Sequence, residues 1–434
     1  MKDTSHPRYI LSCPAEIGED GTQFSNSIRT PEMIDAEVRK NFGILPDAKG
    51  KTVRQLRIFS SYPGQICTLE QMENVFWHCK NKDENLIIDR NFEPNLLWDG
   101  AEEDSRSIFD IIHHCIEKTN FDYNRVFLIV GSLDADTVYQ KYATHNNIPE
   151  DKQLRVYASD YWLEQFRQVW ANDIPIHYID NRDYNDPSVL KYKTKYFTCF
   201  NGRVRPNKCN VAVWMFKNGF FTDPLLKDKH LSSFVFQNTD KDYEFYVENP
   251  GIYDVLPRSL EQTLAEWDTL SYQDLQTEEY ELAQMTGFFD VVVDFVQNED
   301  WVDYNKFLQV KNKNPWWSEK IVSEKVYRNL FTKRPFITIS EPGMLKYLND
   351  IGFKTFPFLF DESYDSITDY NLRYRAVLSQ VKKIIKNKTL DEIKDIIYSD
   401  QCQEVLHHNR DHGIKIAEEY RHRFASKFHR FMFE

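Results

Sequence analysis

The run Ser323-Glu324-Lys325-Val326-Tyr327-Arg328-Asn329 sets a carboxylate and an ammonium side by side on the first turn of a helix. A buried strand follows in Arg334-Pro335-Phe336-Ile337-Thr338-Ile339-Ser340, and the turn Glu341-Pro342-Gly343 opens another helix. Such residues suit a nucleotide diphosphate. A lysine neutralises phosphate as a point charge, and a glutamate accepts hydrogen bonds from ribose hydroxyls. A Pro-Gly turn, with Ser340 before it, lets the backbone approach a ligand and leaves free N–H groups at the next helix start. Arg328 lies one turn along the same face as Lys325 and can serve the same site. Read alone, the Glu-Lys pair is equally an exposed ion pair, because the helix dipole favours an acid at an N-terminus.

The run from Glu324 to Asn329 before a buried strand resembles the donor-binding signature of fucosyltransferases, a group of GT-B glycosyltransferases. The longer stretch through Gly352-Phe353-Lys354-Thr355-Phe356 and Asp361-Glu362-Ser363-Tyr364-Asp365 resembles uncharacterised glycosyltransferase-like proteins, many of them viral or phage-encoded. The likeness spans residues from about 195 to about 375. It implies an α/β, GT-B-like fold: two Rossmann-like domains with mostly parallel sheets facing a cleft, and a helical tail. The implied division is 1–190 for an acceptor-side domain and 195–375 for a nucleotide-sugar domain, with helices over 376–434 that in such folds cross back to the first domain. Glu324 then holds the donor ribose and Lys325 its diphosphate, with Ser323 beside them.

The strand Tyr196–Phe200 is followed by Asn201-Gly202-Arg203-Val204-Arg205-Pro206 and a helix carrying Lys208. Ligands bind at the carboxyl ends of strands in doubly wound sheets. Arg203, Arg205 and Lys208 are therefore candidates for the diphosphate, which a guanidinium clamps with two hydrogen bonds. They also fit a solvated basic turn. Asp134-Ala135-Asp136 spells a metal-binding Asp-x-Asp, but both acids sit where a helix N-cap is wanted, and the cap is the preferred reading. Adjacent histidines at 113–114 and 407–408 point apart on a helix and form no chelate. No metal or cofactor is required. No catalytic base is assigned: Asp89, Glu93, Asp99, Asp134, Asp160 and His177 lie near strand ends, and each is singly better explained as structural.

At 434 residues the chain exceeds what one core supports, so two domains are expected. Aromatic residues make up 15% of it, enough for real cores. The net charge of −13 argues against a large basic face for duplex DNA. Local basic clusters remain at Lys382–Lys388 and Arg421–Arg430, able to supply a phosphate track if they face the cleft. Seven scattered cysteines without a Cys-x-x-Cys pair fit a reducing compartment. With no apolar leader and no membrane-length apolar run, the expected location is cytoplasmic, the host's cytoplasm if the protein is viral.

Short apolar runs alternate with helical spacing through the first half. Val126–Val130 before Gly131 and Arg155–Ala158 before Tyr161 show the pattern of a parallel sheet. The polar stretch 180–193 reads as the domain boundary. Helices are expected over 206–217 and 260–284, strands over 288–295, 335–340 and 354–356, and helix from about 371 onward.

Together with these readings the resemblance implies a metal-independent glycosyltransferase, inverting as fucosyltransferases are. Its donor is a UDP- or GDP-linked sugar and its acceptor a glycan or hydroxymethylated phage DNA, reached by base flipping. The alternatives are a non-catalytic nucleotide-binding or virion-associated protein of the same fold, and a sugar-nucleotide epimerase.

Overall fold

The computed structural model describes residues 16–17, 23–24, 26–29, 53–57, 69–90, 107–132, 134–158, 160–172, 182–201, 206–234, 285–294 and 322–433. The described residues form two compact units. The first takes those of 1–161 together with 416–434, and the second takes those of 162–304 and 322–415.

In the first unit a small antiparallel ribbon pairs β1 (Glu16–Ile17) with β2 (Gln23–Phe24). The main sheet runs β3 (Asn26–Arg29), β4 (Val53–Arg57), β5 (Asn85–Arg90), β6 (Val126–Val130) and β7 (Arg155–Ala158). β4 to β7 are parallel, and β3 is an antiparallel edge. Between the parallel strands lie α1 (Leu69–Lys82), α2 (Ile108–Thr119) and α3 (Ala135–His145). Every residue of β6 is buried, as expected for a parallel strand covered on both faces. α2 starts in a capping box of Ser107 and Asp110, and it ends on Asn120 in a left-handed conformation.

In the second unit α4 (Tyr161–Asn172), all but its first residue, accompanies a second sheet. Its strands are β8 (Lys195–Asn201), β9 (His230–Phe234), β10 (Gly287–Val293) and β11 (Phe336–Ile339). All pair in parallel in the order β11-β10-β8-β9. The helices are α5 (Pro206–Lys217), α6 (Glu324–Phe331), α7 (Met344–Asp350), α8 (Tyr370–Asn387) and α9 (Leu390–Ile397). The last helix, α10 (Asp400–Phe433), belongs to the second unit up to Lys415 and to the first from Ile416. The protein is thus of the α/β class, with two sheets of parallel strands and C-terminal helices.

Two expectations meet a different outcome, at Lys354–Phe356 and at Asp134. The polar residues 182–193 belong to the second unit. The Tyr184 amide donates to the Thr332 carbonyl at 2.8 Å, and Asp183 pairs with Lys333 and, at 3.5 Å, with Arg410. Lys354-Thr355-Phe356 forms no strand and joins no sheet. Its backbone is satisfied by side chains: Asn409 brackets Lys354, accepting from its amide at 2.7 Å and donating to its carbonyl at 2.9 Å, and Glu362 accepts from the Phe356 amide at 2.8 Å. Asp134 takes the N-cap position of α3, but its carboxylate accepts from Ser132 Oγ at 2.5 Å and caps no amide. The helix expected over 260–284 lies outside the described residues.

His230 is buried in the second unit, and His113 is half-buried in the first. His230 stacks on Phe197 with ring centroids 5.0 Å apart; its Nε2 donates to the Phe220 carbonyl at 2.9 Å, and its Nδ1 meets Ser232 Oγ at 2.8 Å. His113 lies between the hydroxyls of Tyr123 and Tyr139, each at 3.2 Å. Burial depresses both imidazoles from 6.5 to about 4. The unfolded chain therefore takes up protons first as pH falls below 6.5. Stability is full above that value and is lost toward pH 4, by about 3 kcal/mol for each histidine. Urea midpoints measured from pH 7 to pH 4.5 should fall accordingly, and His230→Gln should flatten the slope. A profile unchanged by that substitution would contradict the assignment.

Candidate functional site

The strand order of the second sheet fixes where a ligand crevice forms. From β8 the chain leaves through α5 to β9 on one side; from β10 it leaves through α6 to β11 on the other. The connections diverge between β8 and β10, a topological switch point, and crevices open outside the carboxyl ends of strands there. β4 to β7 of the first sheet follow one another in chain order and have no such point.

Asn201 ends β8, and Asp294 follows β10. Asn207, in the first turn of α5, bridges the gap by donating Nδ2 to the Asp294 carbonyl at 3.1 Å. Lys208 follows it and is buried. Across the point α6 begins: Ser323 caps it, its Oγ accepting from the Lys325 amide at 3.2 Å. Lys325 Nζ donates to Glu324 Oε1 at 2.8 Å, with the two side chains 23% and 40% exposed. Burial works against ionisation of Glu324, yet Lys325 and Lys208 outweigh it and hold the carboxyl below its ordinary value. Burial likewise works against the Lys325 ammonium, but Glu324 and Asp294 raise it above the ordinary lysine range. Lys208, Asp294, Glu324 and Lys325 thus feel one another, and the Glu324–Lys325 pair is fully charged at neutral pH.

Arg328 turns elsewhere. Its Nη2 donates to Asp290 Oδ2 at 3.0 Å, inside the sheet. Asp290 is buried in the middle of β10 and also accepts from Asn329 at 3.0 Å and Thr198 at 2.9 Å, while Arg334 reaches Thr198 Oγ1. A carboxylate at that depth needs a counter-charge, and Arg328 supplies it, so its guanidinium is committed to the fold.

Gly343 has φ +77, a left-handed conformation that suits glycine. The helix start it opens is not available to a ligand. Asp365 accepts from Gly343 N through its carbonyl at 2.7 Å, and through its carboxylate from Leu345 N at 3.0 Å and Lys346 N at 3.1 Å. The expectation of open N–H groups at this turn is therefore corrected: the acidic cluster after Phe360 supplies the cap. Ser340 is buried, and its carbonyl accepts from Arg373 Nε at 2.8 Å. Arg373 also binds the Ile367 carbonyl at 2.6 Å, fixing the turn to α8.

Of the residues singled out in the sequence, the structure brings Lys208, Ser323, Glu324 and Lys325 together, puts Ser340 and Gly343 in a clamped turn at the end of β11, and gives Arg328 to Asp290. Arg203 and Arg205, between β8 and α5, lie outside the described residues, as do Glu93, Asp99 and His177. Asn207, Asp290, Asp294 and Arg373 escaped notice as site-builders. Asp290 and Asp294 did carry a signal, since an acid inside an apolar strand run implies a buried partner. In the first unit Asp136 pairs with Lys427 at 3.2 Å. Lys382 and Lys388 lie at the amino end of the second sheet, where Lys382 Nζ donates to Asn218 O at 2.9 Å and Tyr196 Oη to Lys388 O at 2.6 Å. That cluster does not flank the switch point. Among the described residues no helix is long and apolar enough to cross a membrane. Comparison with protein families, curated proteins and solved structures finds no match, so the switch-point geometry alone bears on function.

Proposed function

We propose that the protein is a nucleotide-sugar-dependent glycosyltransferase with a GT-B-like arrangement, its donor bound in the crevice between β8 and β10. The observation that carries this reading is the meeting of Lys208 and Lys325 with Glu324 at the switch point of a parallel sheet. The diphosphate takes the Lys325 ammonium from Glu324, with Lys208 adding charge from the α5 side. Glu324, relieved of its partner, accepts from the ribose hydroxyls. Two lysines meet the charge that develops on the leaving diphosphate as the acceptor hydroxyl attacks the anomeric carbon with inversion. The acceptor, a glycan or a hydroxymethylated DNA base, falls to the first unit in this reading.

A thermal-shift panel of uridine and guanosine sugar nucleotides tests it. A ligand at a hundred times its Kd adds about 2.7 kcal/mol. At about 2–4 °C per kcal/mol for a unit of this size, one sugar nucleotide should raise Tm by about 5–10 °C. Free sugars and nucleosides should leave it unmoved. If no sugar nucleotide raises Tm, the reading fails.

A further inference from the structure

The opposite end of the second sheet carries a surface that the switch-point site does not use. Lys195 begins β8, and Lys229 immediately precedes β9. They adjoin, because the Tyr196 amide donates to the Lys229 carbonyl at 2.8 Å, and Lys195 Nζ donates to the neighbouring Asp228 carbonyl at 2.8 Å. Lys217 ends α5, the helix that carries the chain back from the carboxyl to the amino edge. Lys382 Nζ meets the Asn218 carbonyl there, Lys386 lies one turn further along α8, and the Lys388 carbonyl accepts from Tyr196. Six lysines from four separate stretches of chain thus converge on one rim.

Acids stand near this rim, Asp228 beside Lys229 and Glu392 beyond Lys388, but ion pairing does not neutralise it. The chain holds 67 acidic and 54 basic residues, so a lysine finds a carboxylate easily by chance. Among the described residues none of these six ammonium groups forms an ion pair. Lys388 acts through space on Glu392, whose carboxylate is engaged by the Thr389 amide and hydroxyl at 2.7 and 3.0 Å. The large exposed hydrophobic residues of the described chain are Trp77, Leu225 and Leu372, and only Leu225 lies near this rim in sequence. A lipid surface holds a protein through charge and apolar insertion together; this rim offers the charge without an apolar face. A phosphodiester chain needs only charge, through counterion release.

We propose that this lysine rim docks the phosphate backbone of a nucleic acid, at a site separate from the crevice between β8 and β10. α8 begins at the carboxyl edge, where Tyr370 Oη donates to the Asn207 carbonyl at 3.1 Å, and its 18 residues end at the rim. At 1.5 Å per residue the two sites stand roughly 25 Å apart. A strand lying on the rim therefore leaves the crevice open, and the two readings fail or hold separately.

Fluorescence anisotropy with labelled 30-mer duplex DNA, single-stranded DNA and RNA tests the rim. The wild-type protein should bind at 50 mM salt, and its affinity should fall by about a thousandfold at 200 mM if all six lysines engage. The triple variant Lys217→Glu, Lys386→Glu, Lys388→Glu should lose more than about tenfold and reduce the salt slope by about 3. Lys141→Glu with Lys152→Glu, exposed lysines of the first unit, should lose less than about twofold. The triple variant should keep the wild-type Tm and any rise induced by a sugar nucleotide, which separates lost docking from misfolding. Absence of wild-type binding at 50 mM salt, equal loss in both variants, or binding to anionic phospholipid vesicles without binding to nucleic acid would each overturn the proposal.

Discussion

Replacing Asp290 with alanine lowers the stability of the second unit by about 3–5 kcal/mol, the cost of leaving buried cations without their counter-charge. The carboxylate lies within β10 and is 2% exposed. It takes Arg328 and Asn329 at 3.0 Å and Thr198 at 2.9 Å, and Arg334 acts on it through space. Burial opposes its ionisation, but Arg334 and Arg328 prevail and hold it below the ordinary aspartate value. Its contribution is therefore complete above that ordinary value and is lost only as pH falls through the depressed one. At neutral pH the alanine variant strands two guanidinium groups in the sheet. Tm should drop by about 6–20 °C. Asp290→Asn keeps the shape and loses the charge, so most of the drop should persist. A shift below about 2 °C in both variants would mean that the ion network does not hold the sheet.

The regular parts of the fold were legible because they are local. β6 and β7 are buried apolar runs, and α2 repeats Ile108, Ile111, Ile112 and Cys115 at helical spacing; both patterns are complete within a dozen residues. Lys354–Phe356 shows where local pattern ends. Its residues suggest a strand, but its backbone partner is Asn409, 55 positions away. Arg328 is the same lesson at the site: helical spacing places it one turn from Lys325, and says nothing of Asp290, 38 positions upstream, which takes it. Asp365 was visible as part of an acidic cluster, while its target, the start of α7, lies 19 to 20 residues before it. Lys208 was legible because it follows a strand-and-turn signal, and the Glu324–Lys325 pair because it precedes one. Their convergence was not, since it depends on the strand order β11-β10-β8-β9.

Replacing Lys325 with alanine removes most of the nucleotide-induced stabilisation while leaving the protein folded. Its ion pair with Glu324 is partly exposed, and such pairs contribute about 0–1 kcal/mol. A charge-assisted contact to phosphate is worth about 1.5–3 kcal/mol, a loss of about 10- to 100-fold in affinity. Glu324→Ala separates the two halves of the site. It frees Lys325 for phosphate and removes the ribose acceptor, so inorganic diphosphate should bind at least as well as to wild type, and a nucleoside diphosphate more weakly.

Calorimetric titration of the wild-type, Lys325→Ala and Glu324→Ala proteins with inorganic diphosphate and with uridine and guanosine diphosphates tests the switch-point site most directly. The account predicts binding by wild type, about 10- to 100-fold weaker binding of every ligand in Lys325→Ala, and selective loss of the nucleoside contribution in Glu324→Ala. Equal affinity of wild type and Lys325→Ala for all three ligands would contradict it.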